Sequence, residues 1–166
     1  MLLEDVTTSV EVFLCYAVKL EEEATLRFGH LADSMEAAGN KPVGALFRKL
    51  SDYSRMHLQD AKARSGFREI PVILPDDYQW PDFESPETAA IWASDPLIAY
   101  DEAIEIALES EKRGHAFYKL VHDTTTNPEI KVLAKEFVEE EAEHVQWLEK
   151  WIADHGKRKS KLAVPG

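Results

Sequence analysis

Apolar residues recur at alternating steps of three and four along four long segments, which is the spacing of one face of an α-helix. The four predicted helices run from about Thr8 to Ala38, from about Pro42 to Arg64, from about Pro96 to Asp123 and from Asn127-Pro128 to Gly156. Glycine, asparagine or proline stands near each predicted boundary, as expected where helices begin and end. The segment between the second and third helices is too rich in proline to form one regular element and is predicted to be a crossover.

Two helix pairs with short loops, joined by one long crossover, form the connectivity of ferritin-like bundles. The predicted fold class is therefore all-α, a ferritin-like four-helix bundle with one long crossover between helices 2 and 3. A chain of 166 residues fits one domain with a substantial apolar core. We assign residues 1–156 to this bundle. Residues 157–166 contain four basic side chains and little to bury, so they are predicted to form a mobile tail.

Acidic residues and histidines interrupt the apolar stripes about midway along each helix. The residues concerned are Glu21 in the first helix, His57 in the second, Glu111 in the third, and Glu141 with His144 in the fourth. A carboxylate in a helical core costs several kcal/mol unless it is paired, protonated or bound to a metal. Carboxylate oxygens mixed with imidazole nitrogens suit iron or manganese, and zinc also accepts them. The pattern predicts a metal site made of these five residues.

The neighbouring acidic residues mostly lie off these stripes and are predicted to be solvated. They are Glu22, Glu23, Glu139, Glu140 and Glu143. The remaining histidines are interpreted as surface or satisfied polar residues, although His115, one turn after Glu111, could also lie near the metals. Three tyrosines are interpreted as core aromatic residues with a hydrogen-bonded hydroxyl, namely Tyr16, Tyr53 and Tyr118.

The two halves of the chain resemble each other weakly. Aligning Glu21 with Glu111 brings Phe28 opposite Tyr118, and aligning His57 with His144 brings Leu50 opposite Phe137. Such matches arise easily between amphipathic helices. This repeat gains weight because it also superposes the residues predicted to bind metal.

Charge and cysteine content narrow the classes of partner. The formal net charge of −12 argues against nucleic acid or an anionic membrane and favours cations. Cys15 is the single cysteine, so neither an intramolecular disulfide nor a four-cysteine metal site can form. The N-terminus does not look like a secretory signal, and no apolar stretch of about 20 residues is present. We therefore expect a cytoplasmic location.

At these residues the chain resembles the rubrerythrin family of ferritin-like proteins. Ala17-Val-Lys-Leu-Glu21 and Ala107-Leu-Glu-Ser-Glu111 look like its lone-glutamate helices, and Glu141-Ala-Glu-His144 looks like its final Glu-x-x-His helix. The resemblance implies two iron ions, with Glu21 and Glu111 as terminal ligands, Glu141 as a bridge, and one histidine on each metal. It covers about residues 8–155.

Two features depart from the family pattern. The family's second bridging glutamate is expected three residues before His57, where this chain has Ser54, so one bridge is missing. Water, an exogenous anion or a nearby side chain such as Asp60 would have to fill the gap. The rubredoxin-type module of full-length members needs more cysteines than this chain has, so turnover of peroxide or dioxygen would need an external electron donor.

Three functions remain open at this point. The first is a non-haem di-iron oxidoreductase, peroxidase-like, that reduces peroxide or dioxygen. The second is a protein that sequesters or carries metal without turnover. The third is a metal-free helical interaction module. A homodimer is a further expectation, because amphipathic helix faces can be buried between protomers.

Overall fold

The computed structural model describes residues 2–66, 68–74, 77–80 and 100–162, all of which are helical or irregular. Side chains are described for residues 4–66, 68–74, 77–80 and 102–154. The helices are α1 (Leu2–Thr8), α2 (Val10–Ala37), α3 (Lys41–Ser65), α4 (Tyr100–Thr124) and α5 (Pro128–Leu162). The four long helices α2 to α5 correspond to the four predicted ones, which confirms the all-α fold class. Within the described ranges, no helix combines the length and apolar character needed to cross a bilayer.

Local sequence explains where the helices begin. The Ser9 hydroxyl accepts a hydrogen bond from the Val12 amide at 3.3 Å and caps the start of α2. The Asn127 side chain accepts bonds from the amides of Glu129 and Ile130 at 2.9 and 3.2 Å, with Pro128 in the first helical position of α5. These side chains satisfy amides that have no partner within the helix.

Two predicted boundaries were wrong. The first predicted helix began at Thr8, but a separate short helix, α1, ends there and the chain turns at Ser9 before α2. The fourth was predicted to end at Gly156, but α5 continues to Leu162. A single glycine lowers helix stability by only about 1 kcal/mol, and the lysines and arginine that follow this one are good helix formers. The predicted start of the third helix near Pro96 lies outside the described residues, and the mobility of the tail stays a prediction.

The core consists of two apolar clusters, one toward each end of the bundle. The first contains Phe13, Leu20, Tyr118 and Phe137, and the second contains Phe28, Phe47, Ile104 and Leu148. Along α2 and α5 the chain passes from the first cluster to the second, whereas along α3 and α4 it passes from the second to the first. The chain therefore runs in the same direction along α3 and α4, and the connection between them must return along the bundle.

The described part of this connection packs on the first cluster. Ile70, Ile73 and Tyr78 contact that cluster, and Trp80 is buried within it. The Tyr16 hydroxyl accepts a hydrogen bond from the Gln79 amide at 2.9 Å, which ties the connection to α2. This crossover agrees with the connectivity predicted for a ferritin-like bundle.

The turn between α2 and α3 depends on a glycine with positive φ, which provides a test of local stability. Gly39 has φ +80, and the amides of Gly39 and Asn40 donate to the carbonyls of Glu36 and Met35. We predict that Gly39→Ala lowers the free energy of unfolding by about 1 kcal/mol, because a Cβ is unfavourable in this left-handed conformation. Thermal melts should show a decrease of about 2–4 °C.

Gly66→Ala is the matched control, because Gly66 also follows a helix but has the right-handed φ of −61. It should not reduce the melting temperature. Equal destabilisation by the two substitutions would contradict the role given to Gly39.

Candidate metal centre

A layer of polar side chains separates the two apolar clusters. It contains Glu21 from α2, His57 from α3, Glu111 from α4, and Glu141 and His144 from α5. The glutamates are 1–2% exposed and His144 is 8% exposed, while the His57 side chain is 12% exposed. The structure thus brings all five predicted residues to one level of the bundle interior.

The distances within this layer are short. One nitrogen or oxygen from each of His57, Glu141 and His144 lies within 4.8 Å of the others. His57 Nδ1 lies 3.9 Å from Glu21 Oε2 and 3.9 Å from Glu141 Oε1. His144 Nδ1 lies 3.3 Å from Glu111 Oε2. Each histidine therefore directs Nδ1 toward the carboxyl groups at the centre of the bundle.

Glu141 joins the carboxyl groups of the two halves. Hydrogen bonding with Glu141 acts to lower the pKa values of both Glu21 and Glu111. Carboxyl groups bond to one another only where a proton lies between them, so such contacts favour retention of protons in this layer. The Tyr118 hydroxyl donates to Glu21 Oε1 at 3.2 Å, as expected for a core tyrosine with a bonded hydroxyl.

Burial and mutual charge shift the pKa values in this layer in opposite directions. Burial, followed by the charge of Glu111, raises the pKa of Glu21 to about 8 from its usual 4.5. Burial also acts to raise the pKa of Glu111, but hydrogen bonds from Glu141 and His144 outweigh it and the pKa is lowered. Burial, with the nearby His144, lowers the pKa of His57 to about 4. At neutral pH the metal-free layer holds a protonated Glu21 and a neutral His57.

Aromatic rings fix the positions of the imidazoles. The rings of His57 and His144 are stacked, with centroids 4.8 Å apart and an interplanar angle of 4°. Tyr53 stacks on the other side of His144 at 5.1 Å. Rings packed in such a column cannot rotate independently. The directions of their nitrogens are therefore set by the fold.

The donors of this layer fit a pair of divalent or trivalent cations. His57 Nδ1 is buried and has no hydrogen-bond partner among the described residues, although two carboxyl oxygens face it at 3.9 Å. A buried nitrogen left without a partner costs free energy, and a metal ion between the nitrogen and these oxygens would remove that cost. Three carboxyl groups and two imidazoles are donors typical of iron or manganese.

The prediction that Glu140 is solvated was wrong. Its side chain is only 31% exposed, and Oε2 lies 3.6 Å from His57 Nε2. Burial, followed by the charge of Asp60, raises its pKa. Glu140 lies beside the apolar stripe of the fourth helix rather than on it, and the contact with His57 of α3 is what partly buries it. Glu22, Glu139 and Glu143 are exposed as predicted, while Glu23 is half-buried.

Ser54 is buried one turn before His57, at the position where a second bridging glutamate was expected. Asp60, considered as a replacement, is exposed. The two halves are therefore asymmetric, because Glu141 stands three residues before His144 and its counterpart before His57 is a serine. The layer has three carboxyl groups where a symmetric one would have four.

Comparison with known proteins agrees with the fold. The sequence profile of the rubrerythrin family matches residues 102–164. The crystal structure of an uncharacterized conserved protein from Magnetospirillum magnetotacticum MS-1 is similar to this chain at 34% sequence identity, with a TM-score of 0.72. The match covers 88% of this chain and 95% of that one. No curated protein matches the sequence.

The opposed pKa shifts predict how the metal-free protein responds to pH. Between pH 4.5 and 8 the folded protein holds a proton on Glu21 that the unfolded chain has released, so its stability falls as pH rises. The lowered pKa of His57 opposes this trend only below its usual value of 6.5. From pH 6.5 to 8 the contribution of Glu21 is on the order of 2 kcal/mol, or about 4–8 °C in melting temperature.

Melts of metal-free protein across this range measure the effect. Glu21→Gln should flatten the pH dependence, because the amide carries no titrating proton but can still accept from Tyr118. Glu22→Gln, at the exposed neighbouring position, should leave it unchanged. If the wild type and Glu21→Gln show the same slope, Glu21 does not hold the proton.

Proposed function

This chain belongs to the rubrerythrin family, and on that premise we propose that it binds two metal ions, iron above all, in the polar layer between its two apolar clusters. The observation that supports this most is the unpartnered, buried His57 Nδ1, which faces oxygens of Glu21 and Glu141. Manganese or zinc would accept the same donors.

The proposed ligands divide between the two halves. Glu21 and His57 would hold one metal, and Glu111 and His144 the other, since each pair lies together within its own helical hairpin. Glu141 would bridge them, because it is hydrogen-bonded to both lone glutamates. Metal binding must displace the proton on Glu21, so binding should tighten as pH rises toward 8.

We further propose a peroxidase-like oxidoreductase activity with peroxide or dioxygen as the substrate. When bound, two ferrous ions would supply the two electrons that, with two protons, convert one hydrogen peroxide to two waters. The protein's part is to hold the ligands, exclude bulk water and orient Glu21 through the Tyr118 hydroxyl. The reductant that returns the electrons would be external to these 166 residues, which contain one cysteine.

A metal carrier without turnover is the second candidate function. The buried Ser54 favours it, because a serine hydroxyl is a poor ligand for iron and leaves the layer one carboxylate short. Without a second bridging carboxylate, one metal would be bound more weakly and released more easily. A metal-free module would have to keep the unpartnered His57 Nδ1 buried at a cost in free energy.

We predict that Glu141→Ala loses at least one of two bound metals while the protein stays helical. Removing the shared bridge eliminates a ligand of both metals, and it also relieves the burial of an acidic group. Anaerobic loading with ferrous ion, desalting and metal analysis measure the stoichiometry, and circular dichroism measures the helix content.

Glu143→Ala is the control on the same helix, because Glu143 is exposed and should not affect metal content. A Glu141→Ala protein that keeps the full wild-type complement would place the metals elsewhere. Wild-type protein that binds no metal would support the helical module.

We predict that peroxide reoxidises the anaerobically loaded ferrous protein with one hydrogen peroxide consumed per two irons, in contrast to a metal carrier. Stopped-flow absorbance of the ferric product and residual peroxide assays measure this ratio. His144→Ala, which lacks one imidazole ligand, should slow the reaction at least tenfold. Iron that oxidises no faster than free ferrous ion would leave the carrier function as the better account.

A further inference from the structure

The two nitrogens of His57 face different surroundings. Nδ1 points inward, 3.9 Å from carboxyl oxygens of Glu21 and Glu141, while Nε2 lies 3.6 Å from Glu140 Oε2. Glu140 Oε2 is buried and has no hydrogen-bond partner among the described residues. The separation of 3.6 Å is slightly beyond hydrogen-bond distance, so a small movement of either side chain would complete the bond.

The contact between Glu140 and His57 is of the kind that orients a histidine that binds a metal. A neutral imidazole that binds a metal through one nitrogen carries its proton on the other. A carboxylate beside the protonated nitrogen fixes this tautomer, holds the ring plane and makes the ligating nitrogen more basic. Glu140 lies beside Nε2, which is the nitrogen that does not face the other carboxyl groups. Its position is that of a partner to the ligand rather than of a ligand.

The internal repeat points to the same role. Glu140 stands four residues before His144, and Tyr53 stands four residues before His57. Each contacts the histidine of the opposite hairpin: Tyr53 stacks on His144 at 5.1 Å, and Glu140 approaches His57. Equivalent positions in the two halves thus position the opposite imidazole, one by ring stacking and the other by a carboxylate.

We propose that Glu140 is a positioning residue that accepts the Nε2–H of His57 and so directs Nδ1 toward the metal. This inference rests on the proposed metal-binding function. It also accounts for the burial of an acidic group that the five ligands leave unexplained. On this assignment the half of the layer that lacks a carboxylate at Ser54 has an outer carboxylate on its histidine instead.

Anaerobic titration with Co²⁺, followed by visible absorbance, tests the proposal in the wild type, Glu140→Ala, Glu140→Gln and Glu143→Ala. We expect Glu140→Ala to weaken one cobalt site by about 10–100-fold, the usual cost of losing such a partner. Glu140→Gln should stay within about threefold of the wild type, because its amide oxygen can accept the same N–H. Glu143→Ala, at an exposed position, should match the wild type.

A second readout uses metal-free protein. Nitrogen-15 NMR of the imidazoles should show the proton of His57 on Nε2 in the wild type and in Glu140→Gln, and a mixture of tautomers in Glu140→Ala. This measurement separates positioning of the ring from a general loss of stability.

The outcomes distinguish this inference from the proposed function. If the wild type binds no cobalt, the proposed metal centre fails and this inference fails with it. If the wild type binds cobalt and Glu140→Ala binds it equally well, only the inference is overturned. Loss of affinity in Glu140→Gln equal to that in Glu140→Ala would make Glu140 a direct ligand and would also overturn it, as would an Nδ1–H tautomer in the wild type.

Discussion

The burial of three carboxyl groups and two imidazoles at one level of the bundle is the constraint on which the rest of this structure depends. Taking such groups out of water is unfavourable, and the layer reduces the cost by shared protons and hydrogen bonds centred on Glu141. The remaining cost favours the uncharged forms of two groups. The pKa of Glu21 is raised, so this carboxyl group keeps its proton, and the pKa of His57 is lowered, so this imidazole stays neutral. A layer that must discard charge when metal-free is suited to accept cations, whose charge would restore the ionised carboxylates.

The polar layer divides the core, and the directions of the helices through it determine the crossover. All four long helices must cross the layer near their midpoints, with apolar residues above and below, which is why the core divides into two clusters. Two hairpins placed in this way leave α3 and α4 running in the same direction, so a long connection is unavoidable. In the described part of that connection, Trp80 and Tyr78 pack on the first cluster. The crossover thus contributes to the apolar core beside the layer.

The helices and the five inward residues could be predicted from sequence because both follow from a period of 3.6 residues. Glu21 and Glu111 interrupt otherwise apolar stripes, and interruption of a regular pattern is visible without a structure. Glu140 could not be identified in this way, since its environment depends on how closely α3 approaches α5. The end of α5 was missed for a different reason: Gly156 weakens a helix locally, but the lysines and arginine that follow it favour continuation of the helix. Local signals thus identified which residues face inward, and not how far each neighbouring helix covers them.

The two halves of the layer differ in the number of carboxylate groups that they place beside their histidines. A duplicated hairpin would place a carboxylate before each histidine, yet this chain keeps Glu141 and has the buried Ser54 at the equivalent position. With three carboxylate ligands instead of four, one coordination position beside His57 has no protein ligand, and the nearby Glu140 carboxylate faces the outer nitrogen of His57 rather than the metals. A bound metal with such an open position would take up water or a small anion there, on the side where the protein ligand is missing. The same substitution that weakens the site as a store of metal would therefore leave it open to a small oxygen-containing ligand.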